Sequence, residues 1–281
     1  MRTYDSIVSL GASCGTTMSL RELDLQNVSS PFDWIGAPGL PGVVEMIESD
    51  FAGWFDRDAL VLWDVTHERG VIHRHYKNLK TGFGFPHEFS NAEPFERHYE
   101  AVREKYERRI ARFLASMDEQ KRVLFVYLER PFAPRIPDDE LVTLRDRLAA
   151  KFPGIAADLL YFYVEPGRTE LQETSVSESV TAVGVDYRVF HGDVLMHLTD
   201  HAPLVRYLAS HCELANPPSP AERKARRRQE REKWLRPFGK NPLVRRFNRK
   251  IHEWYCDLED YLVAQHLLPG DKPVWFHGEG K

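Results

Sequence analysis

The sequence predicts a three-layer α/β domain in which a mostly parallel sheet is covered by helices on both faces. Two observations predict this fold. Short apolar runs of strand length recur along the chain, and amphipathic helical segments alternate with them. The runs are residues 7–10, 123–128, 159–164 and 187–190. Uninterrupted apolar strands separated by helices are typical of a parallel sheet that is buried on both faces.

The first run leads into a helix. It ends at Gly11, and Ser13 is a suitable N-cap for a helix from about Cys14 to Leu25. Residues 26–58 are expected to be irregular because several prolines interrupt them.

An antiparallel insertion is predicted next. Apolar runs on either side of a turn at 68–70 predict a β-hairpin over 60–65 and 71–76. We expect a glycine-rich loop to follow and to extend through residues 86–89.

Helices and a C-terminal arm complete the prediction. Apolar residues recur on one face over 94–117 and over 138–152, which predicts two amphipathic helices, and a shorter helix is expected over 204–211. The α/β domain is therefore expected to cover residues 1–215. Residues 216–281 are expected to form a basic helical C-terminal arm that packs on this domain.

Composition excludes several classes of protein. The chain has 281 residues and is 42% hydrophobic and 28% charged, which is typical of a globular protein rather than a disordered or fibrous one. No stretch approaches the roughly 18 apolar residues of a membrane span, and the first 20 residues do not resemble a secretory signal. A cytoplasmic location is therefore expected. Three cysteines without a CxxC pair argue against a disulfide framework.

Charge is unevenly distributed along the chain. Residues 221–250 contain 13 Lys/Arg and 3 Asp/Glu, although the formal net charge of the whole chain is −4. One interpretation is an anionic partner, such as nucleic acid or a lipid surface, bound by this basic segment. The favoured interpretation is a solvated helical face, because charge runs alone are poor evidence of a specific partner.

Cys14 is the strongest candidate for chemistry. At the N-terminus of a helix, free N–H groups and the positive end of the dipole stabilise a thiolate, which is the nucleophilic form of cysteine. The carboxyl edge of a parallel sheet is also where ligands usually bind. The alternative is a buried structural cysteine, since free cysteines are among the most buried residues.

Several spaced motifs carry a family resemblance. They are SLGASC at residues 9–14, Leu20-Arg21, SPFDWI at 30–35, FPHEF at 85–89 and RRIARF at 108–113. Together they resemble the uncharacterised family described as "putative papain-like cysteine peptidases", over roughly the first 165 residues. The family label implies a cysteine helix against an antiparallel barrel, whereas the periodicity of this chain favours a parallel sheet.

The resemblance implies roles for three residues. Cys14 would be the nucleophile, His87 the general base, and Asp33 the group that orients the imidazole. Asp33 could instead cap a turn. Glu88 stands where the family pattern usually has aspartate, which leaves the third member of the site open. The backbone N–H groups of Gly15 and Thr16, at the start of the helix, could bind an oxyanion.

Two alternatives come from the residues themselves. His191 and Asp193 follow the last predicted strand, so His191 competes with His87 as the base. His73 and His75 would share one face of a strand, with Asp64 and His67 nearby, but a clear third metal ligand is missing. We therefore predict no metal and no cofactor.

The leading functional hypothesis is thiol-dependent hydrolysis or acyl transfer on a peptide or acyl substrate that the sequence does not identify. The alternative, from another class, is a non-enzymatic binding module that holds an anionic or glycan ligand at the carboxyl edge of the sheet.

Overall fold

The computed structural model describes residues 1–26, 29–68, 71–90, 94–219, 221–223 and 225. Residues Met1–Asn216 form one compact unit. Its first elements are β1 (Arg2–Tyr4), β2 (Ser6–Ser9), α1 (Cys14–Glu22), α2 (Leu40–Glu48), β3 (Leu60–Glu68), β4 (Val71–Asn78), β5 (Gly84–Ser90) and α3 (Phe95–Asp118). The remaining elements are β6 (Arg122–Leu128), α4 (Asp138–Lys151), β7 (Ala156–Val164), β8 (Gln172–Ser177), β9 (Val180–Val185), β10 (Arg188–His191), β11 (Val194–Thr199), α5 (Ala202–His211) and β12 (Cys212–Leu214).

The central sheet has five strands in the order β2-β6-β7-β9-β8. The first four are parallel to one another, and β8 runs antiparallel to β9 at the edge. A separate apolar core covers each face. Residues of α2, α3 and α4 pack in one core, and residues of α1 and α5 pack in the other. The predicted three-layer α/β fold with a mostly parallel sheet is confirmed.

The insertion is a three-stranded antiparallel sheet in the order β3-β4-β5. The predicted hairpin corresponds to β3 and β4. The loop predicted through residues 86–89 is wrong, because these residues belong to β5, which pairs with β4. Pro86 and the glycines before it favour a loop by local propensity, but the tertiary pairing with β4 overrides that preference.

Two further predictions are corrected. Within the stretch 26–58, α2 spans Leu40–Glu48, and Pro41 lies in its first turn, where a missing N–H costs little. The run 187–190 does not supply a parallel strand, because β10 pairs antiparallel with β11 outside the central sheet. The fourth parallel strand is β9. An apolar run indicates a buried strand but does not identify its partner.

Most of the predicted C-terminal arm, residues 216–281, lies outside the described residues, and so does most of the basic segment 221–250. In the part of the chain that the structure covers, no helix is long and apolar enough to cross a membrane.

Candidate active site

A sharp turn between β2 and α1 positions Cys14. Gly11 and Ala12 both have left-handed backbone conformations, with φ of 84° and 65°. A side chain at Gly11 would place its Cβ 3.0 Å from the carbonyl oxygen of Phe32, so any other residue would be both crowded and strained there. A left-handed alanine costs on the order of 1–2 kcal/mol. The turn makes Cys14 the first residue of α1.

Ser13 caps the helix that Cys14 begins. Its hydroxyl oxygen accepts a hydrogen bond from the Gly15 N–H at 3.2 Å, and its carbonyl accepts one from the Thr16 N–H at 3.4 Å. The two N–H groups predicted to bind an oxyanion are therefore engaged in the cap. They would have to exchange these bonds to bind a substrate oxygen.

Cys14 and His87 lie side by side. The Sγ atom of Cys14 is 3.7 Å from Nε2 of His87, which is close enough for a hydrogen bond to sulfur. His87 is exposed and Cys14 is half-buried, so both are accessible from solvent. In sequence the two residues are 73 positions apart. A thiol and an imidazole in this arrangement can share a proton.

A bulge in β5 turns His87 toward the cysteine. Arg74 pairs with Phe89 and Tyr76 pairs with Phe85, so three residues of β5 lie opposite one residue of β4. In a regular strand, His87 would share a face with Phe85 and Phe89, whose rings are buried in the core. The bulge breaks this alternation and leaves His87 exposed.

Glu88 fastens β5 to α3. Its buried carboxylate forms an ion pair with Lys105 and accepts a hydrogen bond from the Tyr106 hydroxyl at 3.0 Å. Burial, together with the nearby Glu88 charge, raises the pKa of Tyr106 well above its ordinary value, so the hydroxyl remains a donor. Glu88 therefore holds the strand that carries His87 rather than the imidazole itself.

Asp33 lies beneath α1 and is fully buried. Its carboxylate accepts hydrogen bonds from the Thr17 hydroxyl at 2.9 Å, the Gln26 amide at 2.8 and 3.0 Å, and the Ser30 N–H at 3.1 Å. Burial raises its pKa, and the Arg21 guanidinium 3.9 Å away opposes this shift. None of these contacts of Asp33 is with His87. Asp33 thus ties α1 to the segment that follows it.

The segment 30–36 connects the two halves of the site. At one end, the Ser30 hydroxyl donates to the carbonyl of Ser9 at 2.9 Å, directly below the turn that leads to Cys14. At the other end, Gly36 and Gly84 exchange two backbone hydrogen bonds. Gly84 begins β5, three residues before His87. Three of the five motifs recognised in the sequence, SLGASC, SPFDWI and FPHEF, are therefore brought together in space.

His73 is a further histidine of this site. Its ring lies edge-on to that of His87, with 6.3 Å between the ring centroids and 80° between the planes. Its Nδ1 atom is buried and has no hydrogen-bond partner in the described part of the chain. Sequence reasoning considered His73 only as a metal ligand. The signal that could have placed it here is the pairing of β4 with β5.

The metal hypothesis gains no support. Nε2 of His75 lies 2.9 Å from the Thr66 hydroxyl rather than beside His73. Among the described residues, no group of three or more His, Cys, Asp or Glu side chains could hold a metal ion. Asp64 is exposed, and the side chain of His67 lies outside what the structure describes.

The alternative base, His191, remains a prediction. His191 ends β10, and its side chain is outside the described part of the chain, while Asp193 is exposed in the turn that follows. The hairpin formed by β10 and β11 does reach the cysteine helix, because the hydroxyls of Thr199 and Ser13 are 3.3 Å apart.

The fold and the site define a class: an α/β protein with a cysteine–histidine pair at the carboxyl edge of a parallel sheet. The chain belongs to the family described as "Putative papain-like cysteine peptidase (DUF1796)", which matches residues 5–156. This range contains Cys14, Asp33 and His87.

One curated relative shares part of this region. It is a protein of Acanthamoeba polyphaga mimivirus, described as "Uncharacterized protein R408", which is 26% identical over 133 residues. The match covers 42% of this chain and 59% of that protein, so the chain spans less than two thirds of its relative. No solved structure matches the chain.

Proposed function

We propose that the protein is a thiol-dependent hydrolase or acyl transferase in which Cys14 is the nucleophile and His87 the general base. The observation that carries this proposal is the 3.7 Å distance between Sγ of Cys14 and Nε2 of His87. Two further features support it. Cys14 begins a capped helix, where the positive dipole end favours a thiolate, and both side chains are open to solvent.

The first half of the reaction forms an acyl-enzyme. The Cys14 thiol gives its proton to Nε2 of His87, and the thiolate attacks the carbonyl carbon of the substrate. The carbonyl oxygen takes the electron pair and becomes an oxyanion. When the tetrahedral intermediate collapses, the bond to the leaving group breaks and His87 returns its proton to that group. The product is a thioester on Cys14.

The second half releases the acyl group. A water molecule, or an acceptor alcohol or amine, gives a proton to His87 and attacks the thioester carbonyl. The carbon–sulfur bond then breaks, and the proton on His87 returns to the Cys14 sulfur. With water the product is a carboxylic acid, and with another acceptor it is the transferred acyl compound.

Asp33 and Glu88 contribute by positioning. Asp33 holds α1 and the segment 30–36 together, while Glu88 fixes β5 against α3. The substrate class rests on the family description, which points to peptide bonds. Esters and other amides have the same carbonyl chemistry.

The test is the pH dependence of Cys14 alkylation by iodoacetamide, followed by mass spectrometry in a Cys256→Ser background. We expect Cys14 to react well below the pH at which an ordinary thiol, with a pKa of about 8.5, ionises. Cys212 is an internal control, because burial raises the pKa of its thiol to about 12. His87→Gln should move the Cys14 profile up to that of an ordinary thiol.

The outcomes separate the two classes of function. Two results would refute the cysteine–histidine pair. One is a Cys14 thiol that reacts no faster than that of Cys212. The other is a pH profile of Cys14 alkylation that is the same in His87→Gln as in the parent protein. Activity-based probes with an electrophilic carbonyl then test catalysis directly. A non-enzymatic binding module would leave these probes unreacted, whereas the proposed enzyme should be labelled at Cys14 and not in Cys14→Ser.

A further inference from the structure

We propose that Arg109 is a substrate-binding residue whose guanidinium holds a carboxylate of the substrate while Cys14 attacks a carbonyl group nearby. The carboxylate belongs to an acidic side chain or to the end of a peptide chain. This inference deepens the proposed function and rests on it. It gives a role to RRIARF, the motif at residues 108–113 that the cysteine–histidine pair does not use.

The first support is the position of Arg109 on α3, close to the strand that carries the base. Its guanidinium carbon lies 5.6 Å from the centre of the Tyr106 ring. The Tyr106 hydroxyl in turn donates a hydrogen bond to the carboxylate of Glu88, which follows His87 in β5. Arg109 is therefore two contacts away from the residue next to the proposed base.

Arg109 is also linked to the helix of the nucleophile. Burial raises the pKa of Asp33, and the positive charges of Arg21 and Arg109 oppose this shift. The Asp33 carboxylate accepts a hydrogen bond from Thr17, which lies one turn after Cys14 on α1. The charge of Arg109 therefore acts on the region where α1 and β5 bring the two site residues together.

The second support is that the guanidinium has no acceptor. Among the described residues, Arg109 forms no hydrogen bond and no ion pair, and its Nη1 atom is buried. The side chain as a whole is only half-buried, so a ligand can reach it from solvent. A guanidinium has five N–H donors in a planar fork that matches the two oxygens of a carboxylate. A buried charged donor without an acceptor is costly, which favours an acceptor supplied by a ligand.

The sequence of α3 shows why its own side chains do not pair with Arg109. The neighbouring Arg108 forms an ion pair with Glu104, one turn earlier, at 3.6 Å. None of the residues one turn before or after Arg109 is acidic: Lys105, Tyr106, Arg112 and Phe113. The charge of Arg109 is therefore available to an anion from outside the protein.

The first test compares alkylation of Cys14 by iodoacetate, which carries a carboxylate, with alkylation by iodoacetamide, which is neutral. Both reagents react with the same thiolate, so the ratio of their rates does not depend on the pKa of Cys14 and reports the charge that the carboxylate meets. At low ionic strength, we expect Arg109→Gln to lower the iodoacetate-to-iodoacetamide ratio by about two- to fivefold. Arg109→Lys should keep most of the ratio.

The matched control is Arg108→Gln. It removes an equal charge from the adjacent residue of α3, which is exposed and already paired with Glu104. We expect this variant to have the rate ratio of the parent protein.

The second test measures binding rather than charge. Cys14 is labelled with iodoacetamide in the presence of three acetylated dipeptides: dialanine with a free terminal carboxylate, alanylglutamate amide with a carboxylate only on its side chain, and uncharged dialanine amide. We expect a carboxylate peptide to slow labelling in the parent protein and in Arg108→Gln, but not in Arg109→Gln. Protection by the first peptide identifies the chain terminus as the ligand, and protection by the second identifies an acidic side chain.

The outcomes keep the two proposals apart. An unchanged rate ratio in Arg109→Gln, or carboxylate peptides that protect no better than dialanine amide, would overturn the inference. If Cys14 reactivity depends on His87 while these results are seen, only the inference fails. If Cys14 is unreactive towards both reagents in the parent protein, the proposed function fails and the inference fails with it.

Discussion

Gly36 and Gly84 exchange two backbone hydrogen bonds, with N–O distances of 2.9 and 2.8 Å. This bridge connects the segment anchored by Asp33 to the strand that carries His87. We expect this bridge to help set the distance between Cys14 and His87. The geometry of the cysteine–histidine pair is therefore expected to depend on contacts outside the pair itself.

The bridge can be broken at one bond. Gly36→Pro removes the N–H that donates to Gly84, which should cost about 1 kcal/mol and loosen β5 relative to the cysteine turn. We expect slower Cys14 alkylation at neutral pH. Gly36→Ala is the control, because its Cβ would meet Gly84 only at ordinary contact distances of 3.9 Å and more. Equal labelling of the two variants would show that the bridge does not set the site.

Substitutions of the capping residue Ser13 can test the stability of α1 and the ionisation of the Cys14 thiol separately. Ser13→Ala removes the acceptor of the Gly15 N–H, and we expect a loss of about 1 kcal/mol in urea unfolding. Ser13→Asp keeps a capping oxygen, so stability should be largely retained. Its carboxylate, however, lies beside the Cys14 thiolate and should move the alkylation profile to higher pH. A Ser13→Asp profile like that of the parent protein would contradict this electrostatic account.

The Glu88 anchor should matter for both stability and labelling. Glu88→Ala leaves the Tyr106 hydroxyl without its acceptor in the core and Lys105 without its ion pair, at a cost of about 2–3 kcal/mol. Glu88→Gln retains an acceptor and should cost less. Unfolding in urea checks the stability, and alkylation of Cys14 checks whether His87 has moved. Equal stability of the two variants would contradict the anchoring role.

Glu129 gives a pH dependence with a defined sign. Its side chain follows β6 and is buried, and burial raises its pKa above the ordinary 4.5, although the N–H of Arg130 opposes the shift. The folded state therefore holds this proton more tightly than the unfolded state does. Stability from this group is present at low pH and is lost as the pH rises from about 4.5 through the raised pKa.

The matched variant for this prediction is Glu129→Gln, which cannot ionise. We expect the urea midpoint of the parent protein to fall relative to that of Glu129→Gln as the pH rises from 4 to 8. Parallel midpoints across this range would show that the carboxyl ionises without penalty in the folded state.

Local patterns in the sequence identified the elements that bury their own apolar faces. The helices α3 and α4 and the strands β6 and β7 repeat apolar residues at the spacing of their secondary structure, so their type follows from the pattern. Strand β10 shows the limit of this reasoning. Its apolar run predicts a strand, but only the folded chain shows that it pairs with β11 rather than in the central sheet.

The sequence by itself was enough to predict the α/β class and the cap at Ser13. Its motifs also identified Cys14 and His87 as candidate site residues. The tertiary structure alone decided which side chains meet. The bulge in β5 leaves His87 exposed, although regular alternation would place it on the same face as Phe85 and Phe89. Asp33 is buried, and its carboxylate accepts a hydrogen bond from Thr17 rather than contacting the imidazole. Strand alternation and capping are local, so a sequence specifies them. Bulges and cross-strand contacts depend on pairing between distant segments, which a single sequence does not specify.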